Sequence, residues 1–338
     1  MVSNWLGANM TPGIVAALGE ATGEERVAAL EVDERWLGRV LAASGARTVV
    51  LSNLSRDQLD RTQEVRDLAA QWRATLEAHR STTVVANADD PLVAWAAMVA
   101  DEVVWVAAGP GWTGDATGCP ACGGRIDIDE DDWRCTACSL RRPTPTVTID
   151  EQTIVFDGER VTVDLELPGR INRVNAAFAL AAARTMGVDP AAAAPALDAV
   201  REVAGRYRVT DLDGCRIRLL LAKNPAGWDE ALELLADSTA PMVISINARI
   251  ADGHDPSWLW DVEFERLVGR FVVATGERRF DLAVRLRYAG VDHVVGDGLD
   301  DALAIVRDRP GHDGARPVDI ASNYTAFQDH LDRVGGVR

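Results

Sequence analysis

The stretch TVVANADDPLVAWAAMVADEVVWV, residues 83–106, holds two short β-branched runs, 83–86 and 103–106, with a polar turn and a helical apolar pattern between them. A strand, a helix and a second strand in that order make one right-handed crossover unit of a parallel sheet. The same reading extends outward to apolar runs at 27–32 and 48–51 and to a helical pattern over 66–78. This alternation predicts a parallel α/β domain. From 109 to 145 the periodicity stops and Gly, Pro, Asp and Cys dominate, so an inserted module is expected at about 112–145. Runs at 153–156 and 161–167 flank Asp157-Gly158, a hairpin signal. An Ala-rich buried helix is expected over 175–186, and Asp189-Pro190 opens another. Beyond a boundary at 201–207, strands at 217–222, 242–247, 271–275 and 318–321 alternate with helices. They predict a second, smaller, Rossmann-like α/β domain. The expected domains are 1–205 and 206–338, with no internal repeat.

The 338 residues suit two domains, and 47% hydrophobic with 26% charged residues is ordinary globular material. No apolar run approaches the roughly 18 residues that span a bilayer. Residues 1–22 lack a basic start and an apolar core, so no secretion signal is read there and the cytoplasm is the expected location. A net charge of −17 repels phosphate backbones and argues against nucleic-acid binding. Of the 35 basic residues one alone is Lys, Lys223, and the other 34 are Arg. A compact ammonium reaches a single oxygen where a planar guanidinium would clash. Lys223 is therefore a candidate functional residue, the alternative being a surface lysine at a strand end.

Cys119, Cys122, Cys135 and Cys138 form C-x2-C, twelve residues, C-x2-C. Each pair can place two thiolates on one metal from a tight turn, and Gly123 and Gly124 let the backbone fold back beneath the sulfurs. A structural Zn²⁺ with no open coordination position is expected. Two disulfides are the alternative, which a cytoplasmic protein disfavours. Cys215 is left over as a buried thiol.

Ligands of open α/β sheets sit beyond the carboxyl ends of the strands. Glu31 closes the 27–32 run, where a carboxylate could hold Mg²⁺ beside phosphates; a solvated acid at a helix start is the alternative. Asn87-Ala88-Asp89-Asp90-Pro91 follows its strand in the same way and also reads as a plain turn and N-cap. Asn172 and Asn175 fall at the start of the Ala-rich helix, where both caps and nucleobase contacts occur.

Taken together and in order, Glu31, SNLSRDQLDR (52–61), VVANADDP (84–91), GRINRVNAAFALAA (169–182), Gly205-Arg206 and LLLAKNPAG (219–227) resemble the Mur ligase family. The four-cysteine insertion, AKNPAG and ADGHDPSWLWD (251–261) are closer to one branch, the MurT-type subunits of lipid II isoglutaminyl synthase. The resemblance covers essentially the whole chain. It implies a Mur ligase-like central domain with an inserted zinc ribbon, followed by a MurT-type C-terminal domain. It further implies ATP-dependent amidation of the α-carboxylate of D-glutamate in the stem peptide of lipid II. Carried over by position, Glu31 would bind Mg²⁺, Asn172, Asn175 and Arg206 would contact ATP, and Lys223 and Asn224 would line the nucleotide side of the cleft.

Ammonia from glutamine needs an activated Cys with a His base. The chain offers no elbow around Cys215, so the glutaminase is expected to be a separate, GatD-type partner in a heterodimer. In that branch the MurT-type chain supplies an Asp to the partner's Cys-His pair, and Asp255 occupies the position. A carboxylate in an exposed loop can orient an imidazole, while a capping Asp ahead of a helix starting at Pro256 is equally natural. Trp258 and Trp260 beside it suit an interface anchor or a core.

Three departures stand out. No G-x-x-G-K-T string exists in the sequence, and Asn4-Trp5-Leu6-Gly7-Ala8-Asn9-Met10 matches the family downstream of that phosphate loop. The central domain is thus expected to be N-terminally truncated and the chain as given inactive. A catalytically inactive scaffold that binds the glutaminase is the competing reading. Gln58 stands where many Mur ligases carry a metal-binding His, and the central domain has no Lys to carbamylate.

Overall fold

The computed structural model describes residues 1–4, 8–56, 65–109, 111–112, 114–129, 132–200, 206–309 and 317–335. The chain forms two compact units, one from Met1–Leu54, Gln63–Leu165 and Asn172–Ala199, the other from Ser55–Thr62, Glu166–Ile171 and Val200–Arg338. Among the described residues, no helix is long and apolar enough to cross a membrane.

The first unit contains β1 (Val2–Ser3), α1 (Thr11–Gly19), β2 (Ala28–Ala29), α2 (Leu37–Ser44), β3 (Thr48–Leu51), α3 (Val65–Ala78), β4 (Thr83–Asn87), α4 (Pro91–Ala97) and β5 (Val103–Val106). There follow β6 (Ile126–Ile128), β7 (Trp133–Cys135), β8 (Val147–Asp150), β9 (Thr153–Phe156), β10 (Glu159–Thr162), α5 (Arg170–Thr185) and α6 (Pro190–Asp198). Its main sheet runs β10-β9-β8-β5-β4-β3, parallel from β3 to β8 and antiparallel in the last three strands. Successive residues of β4 face opposite sides. Val84 and Ala86 pack with Leu68, Trp72 and Leu76 of α3 and Leu92 of α4, whereas Val85 joins Val174, Ala177 and Ala181 of the Ala-rich α5. The sheet is therefore covered on both faces, which is why its strands read as unbroken apolar runs. Asp157 (φ 48°) and Gly158 (φ 94°) make the two-residue turn between β9 and β10, with Phe156 opposite Glu159.

Two expectations change here. The run at 27–32 forms only the two-residue β2, paired with β1 in a separate small ladder. The Asn4 side chain ends that ladder, because its amide donates to Glu31 O at 2.8 Å and its carbonyl accepts Glu31 N–H at 2.8 Å. The Ala-rich helix begins at Arg170, just after Gly169 (φ 97°). Asn172 and Asn175 thus lie inside α5, beyond its N-cap position.

The second unit comprises β11 (Tyr207–Leu212), β12 (Cys215–Leu221), α7 (Pro225–Leu234), β13 (Met242–Ser245), β14 (Phe271–Thr275), α8 (Arg279–Tyr288), β15 (Asp292–Val295), α9 (Leu299–Arg307), β16 (Val318–Ser322) and α10 (Tyr324–Arg333). Two 3-10 turns, Ser257–Asp261 and Phe264–Leu267, lie between β13 and β14. The sheet order is β11-β12-β16-β13-β14-β15, with β11 alone antiparallel. Leu220, Ile244 and Ala274 meet Trp228 of α7 and Leu286 of α8 on one face. Leu219, Val243 and Val273 meet Leu303 of α9 and Phe327 of α10 on the other. From β13 the chain steps outward to β14 and β15 and then returns to β16 between β12 and β13, which creates a topological switch point.

Candidate functional site

The four ribbon sulfurs lie within 4.8 Å of one another, with Cys119 Sγ 3.7 Å from Cys138 Sγ and Cys122 Sγ 3.5 Å from Cys135 Sγ. A disulfide would bring paired sulfurs to about 2.05 Å. A tetrahedron with metal–sulfur bonds of about 2.3 Å spaces them about 3.8 Å apart. The donor set and spacing therefore fit Zn²⁺. Backbone N–H groups of Gly124 and Ala137 donate to Cys122 Sγ (3.4 Å) and Cys135 Sγ (3.3 Å). The Ala137 N–H leads the effects that pull the Cys135 thiol down to about 7. A Cβ at Gly124 would lie 2.7 Å from Ala137 Cβ and 3.3 Å from both Cys122 Sγ and Cys135 Sγ, so glycine is required there. The ribbon rests on α4 through Ala94, Ile126, Trp133 and Leu140, and Trp133 Nε1 donates to Ala88 O at 2.8 Å.

The ADDP turn ties this unit together. Asp90 caps α4 by accepting Leu92 and Val93 N–H at 2.9 and 3.1 Å, and its other oxygen accepts Leu54 N–H at 2.9 Å. Burial pushes its carboxyl up to about 6 against those donors. Asp89 accepts Gly109 N–H at 2.8 Å and pairs with Arg142 of the ribbon. These groups latch the ribbon to the carboxyl edge of the sheet. Asp89 and Arg142 were not legible as a pair, since 53 residues separate them. Glu31 is exposed, with its Oε1 accepting from Asn9 Nδ2 at 3.3 Å. Asn175 is exposed and Asn172 half-buried on α5.

Three other candidates do come together. Arg206 O accepts Leu221 N–H at 2.9 Å, which sets Arg206 opposite the last residue of β12, two positions before Lys223. Both Arg206 and Lys223 are exposed. Asn224 acts on the backbone: its Oδ1 caps α7 through Gly227 N–H at 2.8 Å, and its Nδ2 donates to Arg56 O at 2.9 Å. Asp255 is also exposed and accepts Ser257 N–H at 2.8 Å at the entry to the 3-10 turn. Trp258 is buried in the core, whereas Trp260 is 56% exposed and stacks edge-on against Tyr288. Cys215 is buried among Leu212, Ile217 and Leu219. Gln58 and Gly205 lie outside the described residues.

Residues 221–327, which carry Lys223, Asn224 and Asp255, match the MurT ligase C-terminal family. Over 324 residues the chain is 29% identical to the lipid II isoglutaminyl synthase (glutamine-hydrolyzing) subunit MurT of Streptococcus pneumoniae, covering 86% of this chain and 71% of that one. The subunit of the same name from Staphylococcus aureus strain COL is 26% identical over 361 residues, with coverages of 99% and 80%. Over most of its length the chain is therefore similar to MurT-type Mur ligases. The fold is similar to that of a pseudomurein peptide ligase type C from Methanothermus fervidus, which superposes with a TM-score of 0.67 at 18% identity, covering 91% of this chain and 67% of that one.

Proposed function

We propose that this chain is the ligase subunit of a two-component amidase that converts the α-carboxylate of D-glutamate in the lipid II stem peptide to a carboxamide. In that reaction ATP transfers its γ-phosphoryl group to a carboxylate oxygen and ADP leaves. Ammonia then forms the C–N bond as phosphate departs with the former carboxylate oxygen. The observation that supports the reading is that the chain's sole lysine, inside the family-matched region, lies two residues beyond the strand position that Arg206 faces at the carboxyl end of the second unit's sheet. Two exposed cations at that end of the sheet suit a polyanionic nucleotide in a protein of net charge −17. Lys223 would supply a point charge to the nucleotide phosphates, and Glu31 would bind Mg²⁺. Arg206 and Asn175 would contact the adenosine part of ATP, with Asn172 beside it on α5. Asn224 would act by holding the Lys223 backbone through its cap of α7. The four cysteines would hold a structural Zn²⁺ that fixes the ribbon against α4.

Glutamine hydrolysis would fall to a GatD-type partner, with Asp255 orienting the imidazole of the partner's Cys-His pair from its exposed loop. The test is a reconstitution of the two-subunit complex with ATP, glutamine and lipid II, read by mass spectrometry. The expected product carries a carboxamide in place of one carboxylate. An unchanged precursor mass with a partner that hydrolyses glutamine would sink the reading.

A further inference from the structure

We infer that Asp252 is a positioning residue that holds the loop bearing Asp255, by serving as the N-terminal cap of a helix 73 residues away. The inference rests on the role given to Asp255 above. Helix α10 receives no cap from Asn323, the residue in the N-cap position. The Asn323 side chain is engaged elsewhere: its Nδ2 donates to Asn247 O at 2.7 Å and its Oδ1 accepts Asn247 N–H at 3.0 Å. The first turn of α10 still needs acceptors for its N–H groups. Asp252 provides one, with Oδ1 accepting Thr325 N–H at 2.9 Å and Oδ2 accepting the Thr325 hydroxyl. The same Oδ2 accepts Arg249 N–H at 3.2 Å, and Asp252 N–H donates to Arg249 O at 2.9 Å. A carboxylate 9% exposed at a helix N-terminus is held by charge as well as by hydrogen bonds.

The segment before it is fixed both to α10 and to the turn after β14. Asn247 Oδ1 accepts Glu277 N–H at 3.1 Å after β14, and its Nδ2 donates to Thr325 Oγ1 at 3.2 Å. The Arg249 guanidinium bridges Glu277 and Asp329 at 2.9 Å each. Gly253 (φ 79°) then turns the chain, and His254 Nδ1 lies 2.9 Å from Ala248 O, closing the loop on itself. Asp255 emerges from this closed loop three residues after the cap. With so few free torsions between them, the place of the Asp255 carboxylate follows from the place of Asp252. A group that must meet a partner's imidazole loses rate steeply when displaced by about 1 Å.

The experiment measures glutamine hydrolysis by the intact two-subunit complex carrying Asp252→Ala, Thr325→Val, Asp255→Asn or Asp252→Ala with Asp255→Asn. Asp255→Asn is expected to abolish most of the hydrolysis. Asp252→Ala is expected to lower kcat about tenfold or more with the glutamine KM and subunit affinity little changed, and Thr325→Val to lower kcat in the same direction by less. Added to Asp255→Asn, Asp252→Ala is expected to cause no further loss. Full kcat in both Asp252→Ala and Thr325→Val, beside a dead Asp255→Asn, overturns this inference alone. So does a further loss in the double variant, or a loss that only follows weakened subunit affinity. Full activity of Asp255→Asn overturns the role of Asp255 and this inference together.

Discussion

Cys119 in the ribbon and Trp228 in the second unit are both 0% exposed, yet different forces keep them so. Around Cys119 the apolar cluster is six buried residues, of which Ala94 is contributed by α4 and not by the ribbon. Around Trp228 the cluster draws on strands and helices from both ends of the unit's sequence, with Phe264 packed edge-on at 5.2 Å. The ribbon cannot bury enough surface to offset the ordering of its own backbone. The second unit can. A module of the first kind would depend on a metal held by its four cysteines, and one of the second kind tolerates the loss of any single polar contact outside its core.

Chelation, or Cys119→Ser, breaks the comparison most directly. Structural zinc contributes on the order of 10 kcal/mol in small metal-folded modules, so the 119–142 backbone is expected to lose hydrogen-exchange protection while β12, β13 and β16 keep theirs. Equal loss in both regions would refute the contrast. Asp319→Ala tests the other side. Asp319 is 0% exposed and bonds Arg218 at 2.8 Å and Arg270 at 2.7 Å. Its removal leaves two guanidinium groups and the Ser238 hydroxyl without their shared acceptor, and about 3–5 kcal/mol of the second unit's stability is expected to go, with the protection of the 119–142 backbone unchanged.

Next comes pH. Burial pulls His330 down to about 4, with Asp329 pulling weakly the other way. The unfolded chain takes up the proton near the ordinary value of about 6.5, the folded unit only near 4. Acidification between those values therefore favours unfolding, by about 3 kcal/mol in total, and stability above that window is unaffected. Denaturant titrations at about pH 7 and about pH 5, either side of the ordinary histidine value, should show a steeper loss in the parent than in His330→Leu; parallel curves would exclude this cause. The smallest effect on stability belongs to Lys223→Arg, within about 0.5 kcal/mol, although carboxamide formation is expected to fall about a hundredfold. Unchanged turnover would remove Lys223 from the site.

Much of this was legible in the residues. The strands 103–106 and 271–275 match β5 and β14 to the residue because their β-branched runs are covered on both faces. The clustering of the four cysteines was readable because each C-x2-C pair turns two sulfurs toward one point. Strands β11 (YRVTDL) and β15 (DHVV) were missed, since each lies at a sheet edge and carries polar residues that read as loop. Glu31 looked like a strand end because its apolar neighbours hide the competition from Asn4. The cap of α10 by Asp252 left no signal at all: local spacing shows only partners close in sequence, and this one is not.

Lys223, exposed at the end of β12, makes the chain chemically addressable. Within residues 1–338 an amine-selective acylating dye has one side chain to modify, so a fluorophore can be seated beside the proposed nucleotide pocket without first engineering this part of the surface.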